Sequence, residues 1–335
     1  MPDKVRWGVL GVAGIAVKKV IPAMQKGERT LIAAIASRTL EKAEGAAAKL
    51  GISQAYGSYE ELLADRSVDA IYNPLPNHLH IHWTVKAAEA GKHVLCEKPI
   101  ALNAAEAETL IAVRDRTGVK IGEAFMVRTH PQWLRVRDLV RAGSIGELRS
   151  IRTVFSYYNI DPSNIRNQAD IGGGAVMDIG CYPINISRFL FEREPVRVSS
   201  IIDRDPVMHT DRLTSALLDF SPGQATFTCS TQMVPCQRVE VMGTRGRIEI
   251  EIPFNAPPDK PTRIFIDDGS EPAGRNARME EFSICDQYTI QGDRFSQAIQ
   301  ENLAVPVSLE DAIANMKVID AVLAAGSSEA WQYIA

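Results

Sequence analysis

The chain has 335 residues, 45% of them hydrophobic and 23% charged, and 37 Lys and Arg stand against 41 Asp and Glu for a formal net charge of −4. A chain of this length implies about two domains, because single cores stop growing near 250–300 residues. The composition excludes wholesale disorder and a membrane bundle, and the acidic balance leaves no large basic surface for nucleic acid.

Val5–Leu10 reads as a short buried strand that ends at a glycine. Ala16–Gln25 carries a helical apolar stripe, which Pro22 bends or delays. Thr30–Ala36 is a second apolar run, and Leu40–Lys49 is rich in helix formers. Further strands are expected at Gln54–Tyr56, Ala70–Tyr72, His93–Cys96 and Lys120–Glu123, with helices between them at Tyr59–Ala64, Ile81–Ala90 and Ala104–Thr117. These strands are almost continuously apolar, as they would be in a parallel sheet with helices on both faces. The expectation is a doubly wound α/β dinucleotide-binding domain over residues 1–124.

The pattern changes after Ala124. Pro131–Ala142 is a helix candidate, and from Gly146 onward polar and apolar residues nearly alternate. The runs are Leu148–Tyr158, Arg197–Arg204, Leu213–Phe220, Gln224–Gln232, Arg238–Val241 and Arg247–Ile250. One polar and one apolar face per strand indicates a mainly antiparallel sheet with helices on one side, an α+β domain over residues 125–335. Asn255–Gly274 reads as loops around a strand at Thr262–Ile266. A closing helix is expected at 308–325, capped by Ser308 with Asp311 completing an approximate capping box.

Five scattered cysteines without a CxxC pair argue for a reducing compartment, so a cytoplasmic location is expected. No basic segment with an apolar signal core opens the sequence, and no stretch reaches the roughly 20 apolar residues of a membrane span. His78, His80 and His82 alternate but lack further ligands, so no metal site is expected.

The first strand leads into Gly11-Val12-Ala13-Gly14-Ile15-Ala16. In a dinucleotide fingerprint Gly11 makes the tight turn, Ala13 takes the place of the middle glycine, and Ala16 allows close helix–strand packing. The methyl of Ala13 is expected to push the pyrophosphate slightly away or to have it bound through water. At the end of the second strand, Ser37-Arg38 replaces the acid usual in NAD sites and suits a 2′-phosphate, so NADP is favoured over NAD. Asn73-Pro74-Leu75 is placed along the ribose or nicotinamide, Asn77 reads as a helix cap, and His78 borders the same loop. Glu97 and Lys98 follow another strand, which brings a cation to the crevice. In Gly172–Asn185 a helix would put Asp178, Tyr182 and Asn185 on one face.

Five segments together resemble the Gfo/Idh/MocA family of glucose–fructose oxidoreductases, inositol dehydrogenases and rhizopine-catabolism proteins. They are Trp7–Ala16 (WGVLGVAGIA), Tyr72–His78 (YNPLPNH), Cys96–Pro99 (CEKP), Glu123–Gln132 (EAFMVRTHPQ) and Gly172–Asn185 (GGGAVMDIGCYPIN). The resemblance implies a Rossmann domain, then a domain with a large open sheet that pairs with another subunit, and a last helix packing back toward the first domain. A homodimer or higher homo-oligomer is therefore expected.

By the same resemblance, Lys98 is the lysine of the EKP motif, Asp178 the aspartate of the glycine-rich segment, and Tyr182 the acid/base. Arg128 and Asn185 join Lys98, Asp178 and Tyr182 as substrate-binding candidates. Tyrosine at 182 looks like the aldose and dihydrodiol dehydrogenase side of the family. The implied reaction is NADP-dependent oxidation of the C1 hydroxyl of a cyclic aldose, D-xylose or D-glucose in type, to an aldonolactone. A trans-dihydrodiol dehydrogenase, a glucose–fructose oxidoreductase, an anhydrofructose-type reductase and a non-catalytic NADP sensor are the alternatives. Phe155, Tyr157, Tyr158 and Trp133 are the aromatics considered for the diol, and the start of the chain close to its first strand weighs against the second.

Overall fold

The computed structural model describes residues 3–334. The first six strands are β1 (Val5–Leu10), β2 (Thr30–Ala36), β3 (Gln54–Tyr56), β4 (Ala70–Asn73), β5 (His93–Cys96) and β6 (Ile121–Glu123). They form one parallel sheet in the order β3-β2-β1-β4-β5-β6. Trp7, Val9, Ile32, Ile35, Tyr72 and Leu95 lie in one buried core, as near-continuous apolar strands require. The order reverses direction between β1 and β4, and ligands of open α/β sheets bind at such a switch point.

The stretch after β1 is helical but not uniform. A wide π-helical turn spans Ala16–Val20, and α-helical turns follow at Ile21–Met24, with Pro22 near their start. Among the described residues, helices also cover Leu40–Leu50, Tyr59–Ala64, His80–Glu89 and Ala104–Thr117.

The chain divides into two compact units. The first comprises residues through Thr129 together with Asp286–Ile313, and the second comprises His130–Cys285 and Ala314 onward. A single cut after residue 124 does not describe this division. The turn Met126–Thr129 stays with the first unit, and so does a helix the sequence pattern did not reveal, Gln287–Gln300. That helix packs Phe295 against Trp7, the rings tilted by 58° with centroids 5.6 Å apart, and Ser296 Oγ accepts from Trp7 Nε1 at 3.0 Å. Asp293 accepts from the backbone N–H groups of Glu28 and Arg29. Gly292 lets the helix come close, since a Cβ there would stand 2.9 Å from Met24 Cγ.

The second unit contains β7 (Leu148–Tyr158), β8 (Arg197–Arg204), β9 (Asp211–Asp219), β10 (Gln224–Ser230), β11 (Gln232–Gly243), β12 (Arg247–Ile250), β13 (Thr262–Asp267), β14 (Arg278–Phe282) and β15 (Gln332–Tyr333). They make one nine-stranded sheet, β14-β13-β12-β11-β7-β10-β9-β8-β15, antiparallel except where β10 pairs with β7. Alternation works as expected. Ile151, Thr153 and Phe155 are buried, whereas Arg152 is exposed and Val154 half-buried. β11 is longer than its apolar core because its pairing shifts register between Gln232 and Cys236, which absorbs Pro235. Helix Leu309–Ser328 starts at a Ser308 cap whose Oγ accepts from Asp311 N–H at 3.3 Å.

Candidate active site

In the first unit, the turn after β1 has the form a pyrophosphate site needs. Gly11 sits at φ +85° and donates its N–H to Ala36 O at 2.8 Å. A Cβ on Gly11 would stand 3.0 Å from Leu75 Cδ2 and 3.3 Å from Tyr59 Oη, whereas one on Gly14 would meet nothing within 4 Å. Gly14 therefore leaves open space beside the turn. Val12, Ala13 and Ile15 are half-buried and Ala16 fully buried. Val17 N–H bonds Ala13 O, so the amides before it have no intrahelical acceptor and suit an anion. These features fit a bound dinucleotide.

At the end of β2, Ser37 is buried and Arg38 exposed. After β4, Asn73 is fully buried and holds its own turn. Its Nδ2 donates to His80 O and Thr84 Oγ1, both at 3.2 Å, and its Oδ1 accepts from Leu75 N–H at 3.4 Å. Pro74 is buried, Leu75 walls Gly11, and His78 is exposed. Asn77 is not the helix cap expected of it. It opens a 3-10 turn, Asn77–Leu79, and Leu79 precedes helix His80–Glu89.

In sequence His80 stands out only as one of three alternating histidines. Its imidazole is buried, Nδ1 lying 2.8 Å from Pro99 O and Nε2 2.7 Å from Leu75 O. Burial lowers its pKa to about 4 despite those carbonyls. It thus ties the loop after β4 to the residue after Lys98. Glu97 Oε1 accepts from the buried Tyr72 hydroxyl at 2.6 Å, and Lys98, half-buried, is joined to Pro99 by a cis peptide. Arg128 is committed elsewhere, since its Nη1 pairs with Asp311 Oδ2 at 2.8 Å.

In the second unit, Gly174 at φ +123° turns the chain into a π-helical turn, Val176–Gly180, that continues as α-helix Cys181–Phe191. The wide turn interrupts the regular phase on which a shared face of Asp178, Tyr182 and Asn185 depends. Asp178 Oδ2 accepts from Tyr157 Oη at 2.7 Å and pairs with Arg166 Nε at 3.0 Å. Tyr182, 6% exposed, packs its ring against Phe254 and Phe155, centroids 5.3 and 5.8 Å away. Asn185 has no exposed surface.

Burial and the Asp178 carboxylate push the Tyr157 phenol far up, so Tyr157 remains a donor and cannot act as a base. Asp178 in turn raises the Arg166 pKa, and the two form a stable ion pair. Asp211, from β9, is also buried. Its Oδ2 accepts from Val176 N–H at 2.7 Å and Thr214 Oγ1 at 3.3 Å, and burial raises its pKa to about 6. A side chain at Gly174 would collide with Asp211 Oδ1.

Sequence spacing did not single out Arg166, Asp211 or Tyr59. Tyr157 and Tyr158 do not face one side, as expected of a regular strand: Tyr157 is half-buried beside Phe155 on one face of β7, and Tyr158, on the other, is exposed. Trp133 is fully buried and donates to Pro253 O at 2.7 Å. No group of metal-ligating side chains occurs among the described residues, and no helix there is long and apolar enough to cross a membrane.

Residues 5–125 match the profile described as "Oxidoreductase family, NAD-binding Rossmann fold", and 133–249 match the "GFO/IDH/MocA C-terminal domain". The chain belongs to the Gfo/Idh/MocA family. It is 49% identical to an uncharacterized oxidoreductase of Rhizobium meliloti, covering 99% of this chain and 100% of that one. Identity to the D-xylose 1-dehydrogenase (NADP(+)) 2 of Haloferax volcanii is 38%, covering 94% and 95%. Among solved structures, a 3-ketoreductase from Actinomadura kijaniata in complex with NADP and TDP-benzene matches with TM-score 0.89 and 31% identity, over 96% of this chain and 98% of that one. The chain is an oxidoreductase with a nicotinamide-binding Rossmann domain.

Proposed function

We propose that the protein is an NADP-dependent dehydrogenase that oxidises the C1 hydroxyl of a cyclic aldose, of D-xylose or D-glucose type, to the aldonolactone. The observation that carries this reading is the polar group in the second unit. Tyr157 and Arg166 hold Asp178 as a charged acceptor, and four residues on stands the buried phenol of Tyr182. An ionised acceptor and a phenol suit a ring bearing adjacent hydroxyls. The likeness to an NADP-dependent D-xylose dehydrogenase supports the choice of aldose.

Tyr182 takes the proton of the C1 hydroxyl as the C1–H bond breaks, and Asp178 accepts from a neighbouring hydroxyl to orient the ring. Lys98 is the cation that favours the ionised oxygen and so lowers the cost of proton removal. A bound nicotinamide would supply the hydride acceptor. In the fit to that cofactor, the turn Gly11–Ala16 takes the pyrophosphate, Ser37 and Arg38 take the 2′-phosphate, and Asn73, Pro74, Leu75, Asn77, His78, Glu97 and Lys98 border the nicotinamide half.

The likeness to the A. kijaniata 3-ketoreductase favours a second reading, reduction of a keto sugar, with Tyr182 as proton donor. Absorbance at 340 nm decides between them. Reduction of NADP+ by D-xylose or D-glucose, faster than of NAD+, supports the first. Silence with every aldose, together with NADPH consumption by a keto sugar, replaces it with the second.

The exposed sheet face supports a homodimer, since Ile201 there is 80% exposed. Ile201→Asp should convert a dimer to a monomer in light scattering.

A further inference from the structure

At the C-terminal edge of the parallel sheet stand two donors, Arg38 after β2 and the Tyr59 hydroxyl beside Gly11, that have no acceptor among the described residues. Arg38 is exposed and makes no ion pair or hydrogen bond among the described residues. Tyr59 is half-buried, and its hydroxyl likewise makes no hydrogen bond among them. The Tyr59 ring is not loose. It stands edge-on to Trp83, centroids 4.7 Å apart, and the Lys86 ammonium lies 4.6 Å from the Trp83 ring. This packing directs the phenol to the first glycine of the fingerprint, 3.3 Å from where a Cβ on Gly11 would be.

The position is specific. Gly11 N–H bonds Ala36 O, Arg38 follows two residues after that carbonyl, and the Arg38 charge acts on the Tyr59 phenol, so the three groups stand near one another. Burial raises the Tyr59 phenol pKa against the opposing Arg38 charge, which keeps the hydroxyl a donor at neutral pH. The pyrophosphate is served farther along the turn, by the amides ahead of Val17. What remains at the Arg38 side is the adenosine ribose. A phosphate monoester there carries about −1.5 to −2 charge and three strong acceptor oxygens, more than one guanidinium satisfies.

We infer that Tyr59 completes the 2′-phosphate pocket of NADP with Ser37 and Arg38, its hydroxyl donating to a phosphate oxygen. The inference rests on the NADP reading above and extends it to the start of helix Tyr59–Ala64. It makes cofactor choice depend on two separated segments, Ser37-Arg38 and Tyr59.

Tyr59→Phe tests this directly, because it deletes the hydroxyl and keeps the ring against Trp83. Dissociation constants for NADP+, NAD+, 2′,5′-ADP and 5′-AMP are measured by calorimetry on wild type and variant, with a thermal melt to confirm the fold. The variant should bind NADP+ and 2′,5′-ADP about 10-fold more weakly, as expected for a lost hydrogen bond to a charged group, and bind NAD+ and 5′-AMP within about twofold of wild type. Equal losses on all four ligands would overturn the assignment by placing the hydroxyl on the ribose or pyrophosphate. Unchanged affinities would also overturn it. A wild type that binds NAD+ but not NADP+ refutes the cofactor reading itself, an outcome distinguished by the wild-type titration alone.

Discussion

Asp211→Asn separates the electrostatics of the helix that carries Asp178 and Tyr182 from its packing. Asp211 is 3% exposed and accepts from Val176 N–H and Thr214 Oγ1. Burial raises its pKa from 3.8 to about 6, outweighing the hydrogen bonds and Arg204. A change of that size corresponds to about 3 kcal/mol. The folded chain thus holds this proton more tightly than the unfolded one. The associated stability is fully present below pH 4 and is lost as pH rises through 6.

His80 and His130, both lowered to about 4 by burial, act oppositely, losing stability as pH falls from 6.5 toward 4. The wild-type profile therefore mixes slopes, and only the difference from Asp211→Asn isolates one group. Asparagine keeps a carbonyl for Val176 N–H and stays neutral. Relative to wild type, the variant should gain up to about 3 kcal/mol between pH 4 and pH 7.5. Urea unfolding of both proteins at half-unit pH steps measures this. A difference flat to within about 0.5 kcal/mol across that range, or one of opposite sign, refutes a buried acid titrating near 6.

Other changes probe the same groups. Gly174→Ala brings a Cβ onto Asp211 at a φ that disfavours side chains, and should destabilise by about 2 kcal/mol or more in thermal melts. Tyr182→Phe and Lys98→Ala should keep NADP+ affinity while losing at least about 10²-fold in turnover. Unchanged kcat for Tyr182→Phe across pH would dismiss it as acid/base. His80→Ala leaves the Leu75 and Pro99 carbonyls without the imidazole, and should cost about 1–3 kcal/mol in stability by urea titration. Arg38→Ala should weaken NADP+ by about 10-fold or more and spare NAD+ in the calorimeter.

The Rossmann half was largely legible because its signals are local. Buried runs such as Thr30–Ala36 have few polar interruptions, and glycine at 11 marks a turn that other residues avoid. The antiparallel strands were legible by alternation, but β11 was seen only in part, since Pro235 breaks the pattern that the register shift restores. Helix Gln287–Gln300 escaped notice because its buried face includes Gln287, Gln291, Gly292 and Ser296, which read as surface residues. In the site, Asp178 and Tyr182 stood out by residue type. Their supports did not, because Arg166 and Asp211 lie 12 and 33 residues from Asp178 in sequence and meet that segment only through the fold.

The division of the chain also bears on how it is made. A ribosome releasing this protein delivers all six strands of the parallel sheet early, yet the helix that seats Phe295 on Trp7 emerges only after the whole intervening sheet. At about 5–20 residues per second, the roughly 180 residues between Thr129 and Ile313 take about 10–40 s to synthesise. During that interval the nascent first unit exposes the surface around Trp7 that the helix later covers, and a fragment ending near residue 129 should share that exposure permanently.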